Sequence, residues 1–240
     1  MTDFFISDVH LYPESINHPG REPLHRFLNK IAEEEPGRLW ILGDLFDYWF
    51  EYRNLIPSGY TGTICLLRNL MEKGWDTCFL PGNHDWWCGD GLHLASGMKI
   101  VKTSPLIETI QGINCLLAHG DGLGTGDKGY RLIKPLLRSP AAVRVFSVIH
   151  PTAATWLATR FSTTSKRILR KKIDTVPGYL LEWVEQRKNT GIDLVITGHT
   201  HCPSVTDLGG VTHASLGDWI SHFTYLTIQG GEIRLNEFKN

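Results

Sequence analysis

No stretch of this chain approaches 18 uninterrupted apolar residues, so the sequence predicts no helix that spans a membrane. Net charge is also lacking. The 24 Lys and Arg nearly balance the 25 Asp and Glu, leaving −1, so no global field points to nucleic acid. Cysteines are few: five, odd in number, far apart, and without a CxxC pair. That spacing excludes a disulfide framework and favours a reducing compartment. Cys65, Cys78 and Cys115 sit in apolar runs and are read as small buried hydrophobes. The opening MTDFFISDVH has no basic segment ahead of a long apolar one, so no signal peptide is expected. Internal repeats and low-complexity tracts are absent too.

What is present is an alternation. Short apolar runs at Phe4–Ser7, Arg38–Leu42, Asp76–Leu80, Ile113–Ala118 and Leu194–Thr197 have the length of buried strands. Helix-like stretches at Glu22–Glu35, Gly62–Lys73 and Gly178–Asn189 separate them. This β/α rhythm predicts an α/β sandwich, read as one domain over residues 1–240. The segment around 127–174 breaks the rhythm with prolines, Ser/Thr and a cationic cluster, and is read as a helical cap inserted over the site. From Val205 the tail alternates weakly between Gly-Gly turns, which predicts a β-meander closing a second sheet.

One feature repeats at every strand end. The apolar run stops, and Asp, Asn or His follows within a few residues, mostly beside glycine. The ordered blocks are DVH (Asp8, His10), GDLFD (Asp44, Asp47), GNHD (Asn83, His84, Asp85), HGD (His119, Asp121) and GHTH (His199, His201). Ligands of α/β sheets bind beyond the carboxyl ends of the strands, where these blocks would converge. In an extended strand end, residues i and i+2 face one side, which would aim Asp8 with His10 and His199 with His201 at a common ion. Asp44 is read as a bridge between two cations, one through each carboxylate oxygen.

Asp8, His10, Asp44, Asn83, His119, His199 and His201 are too many ligands for one ion. With imidazole and oxygen donors and no thiolate, they suit a pair of transition-metal ions such as Mn²⁺, Fe²⁺, Co²⁺ or Zn²⁺. Two such ions neutralise an anionic phosphoester and generate a nucleophile for in-line attack. Asp44, Asn83 and His84 are the catalytic candidates. His84 is read as a proton donor to the leaving oxygen or a phosphoryl contact, and Asp85 as a partner that orients a neighbouring histidine.

The ordered blocks resemble the calcineurin-like metallophosphoesterase superfamily. Within it, FISDVHL, LWILGDLFDYWF and the Gly126-Asp127-Lys128-Gly129-Tyr130 stretch after HGD make the chain similar to the UDP-2,3-diacylglucosamine diphosphatases of lipid A biosynthesis. The resemblance covers nearly the whole chain. It implies a four-layer αββα core with a helical cap. The implied reaction is hydrolysis of a lipid-nucleotide pyrophosphate, giving 2,3-diacylglucosamine 1-phosphate and UMP. Two Mn²⁺ ions and peripheral contact with the cytoplasmic membrane face are implied as well. Asp8, His10, Asp44 and His201 would then hold one ion, and Asp44, Asn83, His119 and His199 the other. Asn83, His84, Asp127, Tyr130, Ser165, Lys166, Arg170 and His199 would meet the substrate. The best-known members of that branch carry Arg after the block-three Asn, where this chain has His84.

A soluble phosphoester substrate is the alternative, and a non-catalytic metal scaffold a more remote one. Apolar cap residues (Val143, Val145, Phe146, Val148, Ile149, Trp156, Leu157 and Phe161) are candidates for an acyl groove or for packing of cap helices on each other. Tyr48–Tyr52 and Trp86-Trp87 are read either as pocket walls or as core aromatics. The basic run Lys166–Lys172 is read as a phosphate contact or a solvated face. His18, His25, His93, His150, His213 and His222 fall outside the blocks and are read as satisfied or exposed.

Overall fold

Strands β1 (Asp3–Ile6) and β2 (Arg38–Ile41) show why their apolar runs are continuous. Both faces of the sheet are covered, so every position but Arg38 is buried. Phe4, Ile6, Leu39 and Ile41 face a helical layer, while Phe5 and Trp40 face a second sheet. A computed structural model of the chain describes residues 1–52, 55–126, 128–154 and 175–239. Its first sheet has the order β11-β10-β1-β2-β3-β4 and its second β5-β6-β7-β9-β8. The remaining strands are β3 (Asp76–Phe79), β4 (Lys99–Ile100), β5 (Leu106–Ile110), β6 (Ile113–Ala118), β7 (Leu194–Thr197), β8 (Ser204–Asp207), β9 (Thr212–Ser215), β10 (Thr224–Gln229) and β11 (Glu232–Glu237).

Helix α1 (Arg21–Ile31) buries Leu24, Phe27, Leu28 and Ile31, the i, i+3, i+4, i+7 stripe of an amphipathic helix. Helix α2 (Thr61–Glu72) buries Ile64, Leu67 and Leu70 on the same face of the first sheet and stops before Gly74, whose φ is +88°. A shorter helix, α3 (Asp90–Ser96), follows the third block. On the far side of the second sheet, Val184 of α6 (Gly178–Glu185) packs with Leu116, Ala118 and Val195. Between the sheets lie Phe5, Trp40, Leu80, Leu117, Ile196 and Leu226, among others. The layers are therefore helix, sheet, sheet, helix, as the αββα expectation requires. Two more helices, α4 (Lys128–Leu137) and α5 (Pro140–Ser147), lie within the span read as a cap. No helix among the described residues is long and apolar enough to cross a membrane.

Two expectations change. The C-terminal strands do not form one meander. β8 and β9 join the second sheet, but β10 pairs antiparallel with β1, matching Phe5 to Leu226, and carries β11 with it on the first sheet. Leu226 and Ile228 thereby reach the inter-sheet core. Cys78 and Cys115 are buried, but Cys65 is exposed. It lies on α2 beside Ile64, and the buried stripe of that helix runs through Ile64, Leu67 and Leu70 instead.

Candidate metal centre

The parallel strands β1, β2, β3, β6 and β7 end near one another, and the five polar blocks begin where they end. The i and i+2 pairs converge, but not through extended backbone. Asp8, His10, Asp44, His199 and His201 all have positive φ, between +51° and +67°. Non-glycine residues avoid this region, and each costs of order 1 kcal/mol or more. Five such residues in one cluster mark a place where tertiary structure overrides local preference to aim side chains.

The glycines beside the ligands make that approach possible. A Cβ on Gly82 would lie 2.2 Å from Asp44 Oδ1, and one on Gly198 would lie 2.4 Å from Asp8 Oδ2. Neither space admits alanine.

Around Asp8 the donors crowd together. His10 Nε2 and His201 Nε2 are 3.3 Å apart. Asp8 Oδ1 stands 3.8 Å from His10 Nε2 and 3.5 Å from His201 Nε2. Two donors each about 2.1 Å from one ion stand roughly 3.0–3.4 Å apart, so these separations suit a cation at the centre. Asp8 Oδ1 is buried and accepts no hydrogen bond among the described residues. A buried anionic oxygen without a donor is costly, and a bound cation removes that cost.

The second group shares Asp44. Its Oδ2 lies 3.6 Å from His10 Nε2 and 3.3 Å from His119 Nε2. Asn83 Oδ1 is 3.0 Å from His119 Nε2. Asp44, His119 and His199 bring one ligand atom each within 4.8 Å of one another. All seven expected ligands thus meet in two overlapping groups, with Asp44 common to both. Asp44 Oδ2 faces both groups at these distances, and Oδ1 accepts the backbone N–H of His84 at 2.9 Å.

Supporting hydrogen bonds fix which nitrogen is offered. His119 Nδ1 donates to the Leu42 carbonyl at 2.8 Å, leaving Nε2 for a cation. His201 Nδ1 lies 3.2 Å from Asp218 Oδ2, the carboxylate–histidine arrangement that presents Nε2 to a metal. Asp218 Oδ1 accepts backbone N–H groups of Ile220, Ser221 and His222. Asp218 was missed in the sequence because it follows no apolar strand of the repeating pattern. The one available signal was its Gly-Asp pairing in SLGDW, shared with the second block. Among the described residues no hydrogen bond joins Asp85 to a histidine. It accepts backbone N–H groups of Asp44, Phe46 and Gly82, tying the second block to the third.

Charge in the cluster is strongly coupled. Burial pushes His10 down to about 4, against the opposing pull of Asp47 and Asp44. Burial also acts to lower His119, but the nearby Asp44 carboxylate outweighs it and raises the imidazole to about 10. Asp44 is held well below its ordinary value because His119, His84 and His10 together outweigh its burial. Burial, reinforced by the neighbouring Asp44 charge, lifts Asp85 to about 7.

His84 is partly exposed at the site. Its Nδ1 donates to the Asp47 carbonyl at 2.8 Å, and its ring lies edge-on to His10 with centroids 4.7 Å apart. It shares a ligand-atom cluster with His10 and Asp44. Asp47 Oδ1 is 3.6 Å from His10 Nδ1, beyond hydrogen-bond distance. Tyr130, an expected substrate contact, donates to Asp121 Oδ2 at 2.9 Å. Asp127, Ser165, Lys166 and Arg170 lie outside the described residues, as do the rest of the Lys166–Lys172 run and Trp156, Leu157 and Phe161.

The aromatic stretches fasten α4, α5 and the residues just after them to the loops of the second and third blocks. Phe50 and Trp87 pack against Phe146 of α5, with centroids 5.4 and 4.7 Å away. Tyr52 Oη donates to the Ile149 carbonyl, and Trp87 Nε1 to the Leu137 carbonyl. The remaining histidines have structural partners. His25 meets Thr63, His93 the Met98 carbonyl, His213 Thr197 and His222 Asp218.

Comparison with known proteins agrees with this geometry. The calcineurin-like phosphoesterase family pattern matches residues 2–203. A UDP-2,3-diacylglucosamine hydrolase of Nitrosococcus oceani is 33% identical, covering 91% of this chain and 88% of its own length. One from Stenotrophomonas maltophilia is 31% identical, covering 96% of each chain. One from Porphyromonas gingivalis is 28% identical, over 99% of this chain and 97% of its own.

Proposed function

This chain belongs to the calcineurin-like phosphoesterases, and from that premise we propose that it hydrolyses the pyrophosphate of UDP-2,3-diacylglucosamine to 2,3-diacylglucosamine 1-phosphate and UMP. The observation that carries the reading is the two-group donor cluster sharing Asp44 Oδ2. The near-full-length relatives named for that substrate direct it to the lipid nucleotide. Asp8, His10, Asp44 and His201 would hold one divalent ion, and Asp44, Asn83, His119 and His199 the other, with Mn²⁺ as the proposed metal. When bound, such a pair neutralises phosphoryl oxygens and makes a nucleophile available at neutral pH.

The protein's own groups do the rest. Asp218 and the Leu42 carbonyl hold protons at Nδ1 of His201 and His119, which keeps Nε2 of each available. His84, anchored through Nδ1 to the Asp47 carbonyl, presents Nε2 to the phosphoryl group. As an imidazolium, with Nδ1–H still on that carbonyl, it would donate from Nε2 to an oxygen that gains charge during attack. Leu132, Leu136, Val145 and Val148, all exposed on or beside α4 and α5, favour a lipid over a soluble substrate. Peripheral contact with the cytoplasmic membrane face follows from the same substrate.

The deciding assay follows UMP release from UDP-2,3-diacylglucosamine with and without Mn²⁺. Metal-dependent release supports the proposal. Absence of release, together with brisk cleavage of a soluble phosphodiester, rejects it.

A further inference from the structure

Asp121, two residues beyond His119, gathers three donors on one buried oxygen. Its Oδ2 accepts from Tyr130 Oη at 2.9 Å, Lys134 Nζ at 2.8 Å and Arg138 Nη2 at 2.8 Å. Lys134 Nζ also donates to the Asp121 backbone carbonyl at 2.8 Å. Two of the three donors are cations facing a single carboxylate, so among the described residues this trio carries one net positive charge.

Arg138 is the more confined of the two cations. Its guanidinium lies 3.5 Å over the ring of Trp86, two residues beyond His84. Lys102 Nζ is 5.9 Å from the centroid of the same ring. Arg138 is thus held between the loop that carries Asn83 and His84 and the loop that carries His119. Stacking fixes the plane of a fork whose geometry matches phosphate oxygens side-on. One tooth of that fork, Nη2, holds Asp121. The other, Nε, is buried and makes no hydrogen bond among the described residues. A buried charged donor without an acceptor is costly, and an arriving anionic oxygen would satisfy it.

We propose that Arg138, with Lys134, is a second anion contact outside the metal ligands that takes a phosphoryl group of the substrate, and that Asp121 holds the pair in place for it. This rests on the phosphoester reading of the metal centre but not on the lipid-nucleotide assignment.

The test uses the full chain at saturating metal and two readouts. One is the Kd of methylenediphosphonate, a pyrophosphate analogue that is not cleaved. The other is the split between KM and kcat for UDP-2,3-diacylglucosamine. Arg138→Gln should raise Kd and KM about 10- to 100-fold, the range for losing a hydrogen bond to a charged group, with kcat changed less than about threefold. Arg138→Lys should fall between. Asp121→Asn keeps an amide oxygen to accept from the pair but removes the opposing charge, so it should bind the analogue as tightly as the parent or tighter.

A structural latch would behave differently: Arg138→Gln and Asp121→Asn would then weaken binding alike, which overturns the proposal. Analogue binding within twofold of the parent in Arg138→Gln also overturns it. If analogue binding falls as expected while no form of the protein releases UMP, the anion contact stands and the lipid-nucleotide reading fails.

Discussion

Asp218→Asn separates the support of a metal ligand from the ligand itself. Asp218 Oδ1 accepts three backbone N–H groups in the turn Asp218–His222. An asparagine keeps those three bonds only by placing its carbonyl oxygen there, which puts its NH₂ where Oδ2 now meets His201 Nδ1 at 3.2 Å. Two donors would then face each other. The cheapest escape is for His201 to give up the Nδ1 proton and carry one on Nε2, the atom that faces Asp8 and His10. A protonated Nε2 cannot bind a metal. Loss of such a carboxylate partner typically costs 10- to 100-fold in metal affinity, about 1.4–2.7 kcal/mol.

Calorimetric titration of metal into the apoprotein should show one of two sites weakened by that factor, with the apo melting temperature nearly unchanged. His222→Ala is the control, because His222 Nδ1 shares Asp218 Oδ2 at 3.1 Å but lies toward solvent. Its loss should leave metal affinity within twofold of the parent. Two undiminished sites in Asp218→Asn would refute the reasoning.

Other perturbations follow from the same structure. Gly82→Ala puts a Cβ 2.2 Å from Asp44 Oδ1 and should abolish both metal retention and turnover, whereas Gly178→Ala, with nothing within 4 Å, should do neither; metal analysis of the purified variants distinguishes them. His213 is pushed by burial from 6.5 to about 4, so the unfolded chain binds its proton between those values and the folded chain does not. The shift costs nothing above pH 6.5, and the penalty on the folded state grows as pH falls toward 4, up to about 3 kcal/mol. Denaturant titrations of His213→Gln against the parent should show a shallower acid slope, and equal slopes would contradict the assignment. Trp87→Phe keeps the ring packing on Phe146 but loses the bond to the Leu137 carbonyl, so limited proteolysis of the cap helices should quicken severalfold while the core stays intact.

The candidate ligands were legible because each sits just past an apolar strand, and strand ends in a parallel sheet must converge. The same periodicity gave β1, β2, β3, β6 and β7 nearly to the residue. The reason first assigned to the paired ligands did not hold, since Asp8, His10, His199 and His201 turn through positive φ rather than alternate along a strand. Such strain is imposed by tertiary contacts and leaves no local trace. Asp218 was hidden for a related reason: its partner His201 is 17 residues away, and no spacing rule joins them. The split of the C-terminal strands between two sheets was equally out of reach, because β10 is placed by its match to β1 across the length of the chain. The aromatic stretches allowed two readings until Phe146 and the Leu137 and Ile149 carbonyls showed what they hold.

A pair of ions sharing Asp44 is open to anomalous diffraction from crystals of the Mn²⁺-loaded protein. Two peaks about 3.5–4 Å apart are expected. One should lie among Asp8, His10 and His201, the other among Asn83, His119 and His199, with Asp44 Oδ2 between them. A single peak, or two peaks that do not share Asp44, would contradict that arrangement.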